Sequence, residues 1–584
     1  MTVAIVVTVA ALLVIAFSEP LGERVGIVAP VVLLLAGAAV SFVPGMPELH
    51  VEPDLVLHVI LPPLVFSTAV AMPVQDFRRN LGAISVLSVL LVVVTAVLLG
   101  AIISAMTGMP LALGIAVGAI MSPTDTVATI VVRKQGVAER LVTIMEGEGL
   151  INDASALVIL RSALAAAAGA VSIWQAGTDF LWAVVGAVLV GWVVGRVTIW
   201  LRAQAKEPST STVISLTVPF LAAVPAEQLR ASGLVAAVVA GLVTSKEVAR
   251  CVPPAHRLNA KQTWQTIGLI LESGVFLVMG LQASTLLHEL WGAGQGLGNA
   301  AVLAGVTLAV ALAVRALVVF PLIGAMRRNA VRRQARASRA ETVTAMLDAM
   351  EEGVITGPGA RKIDQRRLER IRFRLARRVS DAQYYQDAHL GARDGAMMWW
   401  AGMRGGVTLA AAQTLPTGTQ DRALLLFAAF AVAAFSLIVQ GGSLNLVVRL
   451  LRPTSARVTS HEEREEVRYL VHAAGRQVEP PEHLREWLGK RWRAGAPAPS
   501  AADLCHRIDV VAAAEERDEL KVEAIEWALA RIRAERLAII EQRDAGKLDA
   551  GLFSYTLGLL DADQVRHEMH LEAARAGMEG LVDD

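Results

Sequence analysis

Glu146-Gly147-Glu148-Gly149-Leu150-Ile151-Asn152-Asp153 runs straight into Ala154-Ser155-Ala156-Leu157-Val158-Ile159-Leu160. Two carboxylates and an amide thus open a window, 147–169, that is otherwise apolar enough to cross a bilayer, and a third carboxylate, Glu146, stands just before it. An ionised Asp at membrane depth costs about 2.5–3.5 kcal/mol on insertion scales, and the default reason to keep one there is an ion or proton site. Acids that merely complement a helix N-terminus are the plainer reading, which suits Glu146. Asp153 lies nearly two turns further in, where capping no longer accounts for it.

The rest of the chain agrees with a membrane setting. Its 584 residues are 54% hydrophobic and 18% charged, against about 25% charge in a soluble domain. Windows long enough to span, about 17–25 apolar residues, fall near 3–17, 25–43, 52–72, 82–106, 110–132, 147–169, 180–201, 211–226, 232–248, 264–287, 300–326, 393–414 and 422–450. These 13 windows predict an all-α polytopic protein. Residues 1–17 lack a basic start and are followed by similar segments, so they are expected to be a retained first helix rather than a signal peptide. Cys251 and Cys505 are too few for a disulfide framework.

Charge in the connections gives an orientation. With the N-terminus outside, the inner loops hold Arg24, Arg78 and Arg79, then Arg133, Lys134 and Arg140, then Arg202 and Lys206, then Lys246, Arg250, Arg257 and Lys261. The outer loops hold only Arg230 and Arg422. The positive-inside rule therefore puts the C-terminus in the cytoplasm. Both cysteines then face the reducing side. The domain plan is a membrane domain over 1–452, a basic loop at 327–392 inserted between helices 11 and 12, and a cytoplasmic helical tail at 453–584. The loop carries 15 Lys and Arg against 8 Asp and Glu. It suits either anionic lipid or a solvated helical pair around Gly357-Pro358-Gly359. A loop tethered at both ends to a membrane argues against a nucleic-acid partner. In the tail, 460–477, 481–493 and 514–543 read as amphipathic helices, with Leu520, Ile525, Leu529, Ile532 and Leu537 at helical spacing. It has no phosphate loop, metal-ligand spacing or triad, so the tail is expected to be regulatory or dimerising.

Two segments carry polar groups beside a break. Ser122-Pro123-Thr124-Asp125-Thr126 interrupts the fifth, because Pro123 lacks a backbone donor and clashes with the preceding turn. Read alone, this is a proline kink or a cation site with equal weight. Asp153 in the next segment favours the cation site, since broken backbone at membrane depth survives where it lines a cavity. Gly402-Met403-Arg404-Gly405-Gly406-Val407 marks the twelfth, and an intramembrane Arg needs an anionic partner. Glu148 and Asp153 are the candidates. Breaks in the fifth and twelfth positions fit an inverted repeat of helices 1–6 and 8–13, the common plan of secondary transporters. Glu272, Arg315, Glu227, Ser232 and Pro62-Pro63 rank lower: Glu272 either coordinates or ends a helix, and Arg315 is expected to pair near the inner interface.

With these residues in hand, the chain resembles the bacterial sodium/proton antiporters of the first monovalent cation:proton antiporter family. The matching runs are Leu61-Pro62-Pro63-Leu64-Val65-Phe66, Gly118-Ala119-Ile120-Met121-Ser122-Pro123-Thr124-Asp125, Gly147 to Asp153, Ser232-Gly233-Leu234-Val235-Ala236, Glu272-Ser273-Gly274-Val275-Phe276 and Trp400 to Val407. They occur in the family's order over about residues 10–450. The resemblance implies a fold with two unwound crossing helices, with Asp153 as the shared cation and proton carboxylate and Asn152 as its partner in the Asn-Asp pair. It implies that Thr124 and Asp125 form the crossing, with Na+ at Asp153 and Thr124. Glu148 and Arg404 are implied to be a buried structural ion pair. A single titrating Asp beside Asn implies electroneutral exchange of one cation for one proton, and a homodimer is implied as well. Three departures stand out: Gly149 where Ser is frequent, Thr126 where Pro is common, and Ser67 where an acid is usual.

The expected function is exchange of Na+, and of Li+ as a further substrate, for H+ in a bacterial inner membrane, with no cofactor and no enzymatic activity. Exchange of K+, alone or with Na+, is the nearest rival, because carboxylates and hydroxyls do not separate the two ions. A channel, or a sensor signalling through the tail, is the rival from another class. A membrane enzyme is excluded by the lack of a nucleophile–base pair or metal cluster at depth.

Overall fold

The computed structural model describes residues 2–44, 51–169, 173–351, 390–455, 461–493 and 518–582, with a few positions between 375 and 385. Among them the structure is helical throughout, apart from an isolated bridge between Val137 and Ser455. In chain order the helices are α1 (Thr2–Val25), α2 (Ala29–Ser41), α3 (Leu61–Ala71), α4 (Val74–Ser85), α5 (Leu91–Thr107), α6 (Leu111–Ile120), α7 (Val127–Lys134) and α8 (Glu139–Ala167). Then come α9 (Ile173–Gln204), α10 (Pro208–Gln228), α11 (Gly233–Cys251), α12 (Pro254–Leu281), α13 (Ala283–Gly292) and α14 (Leu297–Glu351). The last are α15 (Ala392–Trp400), α16 (Val407–Gln413), α17 (Arg422–Ser436), α18 (Gly442–Leu451), α19 (His461–Arg476), α20 (Glu482–Arg493), α21 (Asp518–Asp544) and α22 (Ala550–Val582).

Among the described residues, 7 helical spans are long and apolar enough to cross a membrane. The pair α1 and α2, bent by 115° at its break, passes the same test as one unit. Of the other apolar windows, 52–72 falls on a shorter helix, 232–248 on the 19-residue α11, and the fifth and twelfth on helices that stop partway, α6 with α7 and α15 with α16. The fifth and twelfth windows are the interrupted ones because hydropathy reads through a break that backbone geometry does not.

The chain divides into two compact units. The first comprises residues 1–248, 259–334 and 384–457. Its core gathers Leu99, Ile103, Ile120, Leu141, Leu425 and Leu437, all buried. Large apolar side chains on α9, among them Leu181, Trp182, Leu189 and Trp200, are exposed instead, as expected of lipid-facing positions. α5 and α6 lie unusually close. A Cβ on Gly100 would fall 2.6 Å from Ile115 Cα, and one on Gly114 or Gly118 would run into the carbonyls of Gly100 or Ala96. Small residues four apart let backbones approach in this way. The contact fixes the end of α6, where the chain unwinds.

The second unit comprises residues 249–258, 335–383 and 458–584. Val467, Val471, Ile532, Ile539, Ile540 and Leu560 form its main core. The expected tail helices appear as α19, α20 and α21, and α22 is a further helix beyond them. Ile525, Leu529 and Ile532 of the predicted stripe are buried; Leu537 points outward. Asp561 pairs with Arg257 and, at 3.2 Å, with Arg536. Burial raises the Asp561 carboxyl above its ordinary range in spite of both arginines. Most of the basic loop, with its Gly357-Pro358-Gly359 break, and Cys505 lie outside the described residues. Cys251 is free and exposed.

Candidate functional site: two crossed breaks and a carboxylate cavity

In the fifth window α6 ends at Ile120 and α7 starts at Val127. In the twelfth, α15 ends at Trp400 and α16 starts at Val407. The two unwound stretches touch: the Asp125 N–H donates to the Met403 carbonyl at 2.7 Å. A Cβ on Gly405 would overlap the Asp125 carboxylate, so glycine is what lets the strands cross there. Asp125 Oδ1 accepts from the Val127 N–H at 3.2 Å, at the positive end of α7.

Arg404 answers the negative ends. Its Nε donates to the Met121 carbonyl at 3.2 Å and its Nη1 to the Gly402 carbonyl at 2.9 Å, past the last turns of α6 and α15. Its backbone N–H donates to Ser436 Oγ at 2.8 Å. The expected partnership of Arg404 with Glu148 is therefore corrected. Glu148 pairs with Arg315 of α14, which donates from Nη1 at 2.5 Å and from Nη2 at 3.1 Å. Arg315 also donates to the Met398 carbonyl at 3.1 and 3.0 Å. Gly402 makes room for it, since a Cβ there would overlap the guanidinium. The reason is supply and demand: free carbonyls at two helix ends satisfy Arg404, leaving the carboxylate to the arginine of α14. Arg315 accordingly lies beside the crossing and not at a remote interface.

α8 begins at Glu139, so the acids stand inside a helix rather than at its N-terminus. Glu146 pairs with Arg133 at 2.7 Å, which removes the capping reading for it. Asn152 Nδ2 donates to the Thr124 carbonyl at 2.7 Å and to Thr124 Oγ1 at 3.0 Å. The Thr124 hydroxyl donates to Glu148 Oε1 at 2.8 Å. Asn152 and Thr124 thus tie α8 to the break, and the Thr124 hydroxyl both donates and accepts.

Asp153 differs from these neighbours. Its carboxylate makes no hydrogen bond or ion pair with the described residues. It faces a cavity of about 60 Å³ whose lining includes Asp125, Thr126, Gly149, Glu272 and Gly405, which leaves room for a few waters or a partly hydrated cation. Glu272 belongs to this site although the sequence ranked it low, and its buried Oε1 finds no partner among the described residues. Its helical register relative to α3 and α8 decides that; the signals in sequence are the apolar run around it and its place at the head of the matching run Glu272 to Phe276. Among the described residues no three of His, Cys, Asp or Glu converge tightly enough to hold a metal alone. An ion in this cavity would therefore take part of its shell from neutral oxygens or water.

Crossed half-helices beside an unpaired carboxylate define a membrane carrier for small cations. The family model for the sodium/hydrogen exchanger, transmembrane, matches residues 8–450. The chain belongs to that family, whose members are transporters and not enzymes. It is 28% identical over 456 residues to the uncharacterised Na+/H+ exchanger Rv2287 of Mycobacterium tuberculosis, covering 77% of this chain and 74% of that one. It is 30% identical over 263 residues to the sodium, potassium, lithium and rubidium/H+ antiporter of Bacillus subtilis, covering 43% and 39%. In fold it matches the sodium proton antiporter MjNhaP1 of Methanocaldococcus jannaschii, with a TM-score of 0.54 at 15% identity over 77% of this chain and 99% of that one. Cation/proton antiport across a membrane, without a cofactor, is the activity this family membership carries.

Proposed function

We propose that the chain exchanges Na+ for H+ by alternating access, with Asp153 as the shared binding carboxylate. The observation that carries this is the contrast on α8: Glu148 is held by Arg315 and Thr124, while Asp153 is unpaired and faces the cavity. A carboxylate with a fixed countercharge has no need of a cation; one without has. Sodium and protons compete for Asp153, and either one neutralises it. Neutral, the site can move across the barrier; bare, the cost of burying an uncompensated charge holds it back. The Thr124 carbonyl, which keeps a second lone pair beside the Asn152 bond, is a further ligand.

Asp125 at the α7 N-terminus positions the crossing, and Asn152 holds Thr124 in place. One cation then exchanges for one proton, which makes transport electroneutral. The N-terminus lies outside, the tail is cytoplasmic and regulatory, and the protein works as a homodimer. Asp153→Asn in everted vesicles is expected to abolish Na+-driven proton movement, and persistence of exchange would defeat the assignment. The name of the Bacillus antiporter keeps K+ in play, and proteoliposomes offered Na+, Li+ and K+ separately decide the cargo.

A further inference from the structure

Thr126 and Gly149 face each other across the site. A Cβ on Gly149 would overlap Thr126 Cγ2, so the threonine methyl occupies the notch that the glycine leaves. Both residues line the cavity of Asp153. Gly149 and Asp153 are four residues apart in α8, hence on one face. A β-branched side chain is stiff at χ1, and seating its methyl in a notch fixes the remaining Cβ substituent, the hydroxyl. That hydroxyl forms no hydrogen bond with the described residues, and Thr126 is only partly buried. The neighbouring Thr124 hydroxyl, by contrast, is committed to Asn152 and Glu148.

We propose that Thr126, locked by Gly149, supplies the hydroxyl ligand of the transported cation, and that the pair sets affinity for small hard cations as one unit. The inference rests on the antiport reading of the cavity and deepens it. The need is chemical: the carboxylates do not converge as a closed metal site, so neutral oxygens must complete the shell of a hard cation. Thr126 offers an uncommitted hydroxyl on the wall of the cavity, beside the notch of Gly149. The pairing also explains why glycine stands at 149. Any side chain there would collide with the methyl and turn the hydroxyl away.

The test uses the full-length protein in proteoliposomes, with Na+ and Li+ titrated against proton flux. Thr126→Val keeps the methyl contact and the volume and deletes only the hydroxyl. Its KM for Na+ is expected to rise about tenfold, the size of one hydrogen-bond-strength contact to a charge, with the maximal rate within about twofold. Gly149→Ala is expected to raise KM similarly by displacing Thr126. Adding Thr126→Ser to Gly149→Ala removes the colliding methyl, keeps a hydroxyl and brings KM back toward the wild-type value. Thermal stabilisation of the purified protein by NaCl gives a second readout independent of transport, since ligand binding to the folded state raises Tm. An unchanged KM and an unchanged NaCl-dependent Tm shift in Thr126→Val overturn the proposal. Wild-type protein that moves no protons with Na+, Li+ or K+ defeats the antiport reading itself, a distinct result.

Discussion

Glu148 and Asp153 stand five residues apart on one helix and have opposite surroundings. Glu148 accepts from two nitrogens of Arg315 and from the Thr124 hydroxyl. Asp153 has no such partner and faces a cavity. Both are acids that hydropathy alone would treat alike. The difference teaches that countercharge separates a carboxylate that holds the fold from one that can hold an ion.

The comparison can be broken at several points. Asp153→Asn should remove transport altogether while leaving Tm in detergent unchanged or higher, because an unpaired charge is replaced by a neutral amide. A large loss of Tm would place Asp153 among the structural acids. Glu148→Gln should behave the other way, destabilising by about 3–5 kcal/mol because Arg315 is left buried without its partner. Chemical or thermal melts of Glu148→Gln and of Glu148→Gln with Arg315→Met measure this, and the double variant is expected to be the more stable of the two. Glu272→Gln tests whether the third acid joins Asp153: the expected outcome is a KM for Na+ raised about tenfold, the low end of the value of one hydrogen bond to a charged group, with an unchanged Tm. An unaltered KM assigns Glu272 to the wall of the cavity. The smallest change is Ser436→Ala, which strands the Arg404 N–H and should cost about 1 kcal/mol in a melt without changing ion affinity.

Much of the crossing was legible in sequence because its causes are local. Pro123 must break a helix, and Gly402, Gly405 and Gly406 invite a break. Asn152 and Asp153 announce themselves as polar residues in an apolar window. What the sequence concealed was pairing over distance. Arg315 lies 167 positions from Glu148, and Arg404 seemed the better partner because its real partners are backbone carbonyls, which leave no mark on a sequence. Glu272 was hidden for a related reason: whether a lone acid faces a cavity or a helix end depends on helix rotation, which a helix apolar on most faces does not encode. The opposition of Gly149 and Thr126 needed coordinates too, since each alone looks like a missing feature.

Arg404 carries a mechanical consequence. By reaching the Met121 carbonyl and the Gly402 carbonyl together, while Asp125 bonds the Met403 carbonyl, it rivets the two unwound stretches to each other. A pair of broken helices so fastened cannot open like jaws around an ion. Whatever displacement carries the site between the two faces of the membrane must move the riveted crossing as one piece, and the bending must occur elsewhere. The π-helical turns at Leu55–Ile60, Val86–Leu90 and Leu437–Gly441, where the helical ladder is off register, lie outside the two unwound stretches and are the expected sites of that bending.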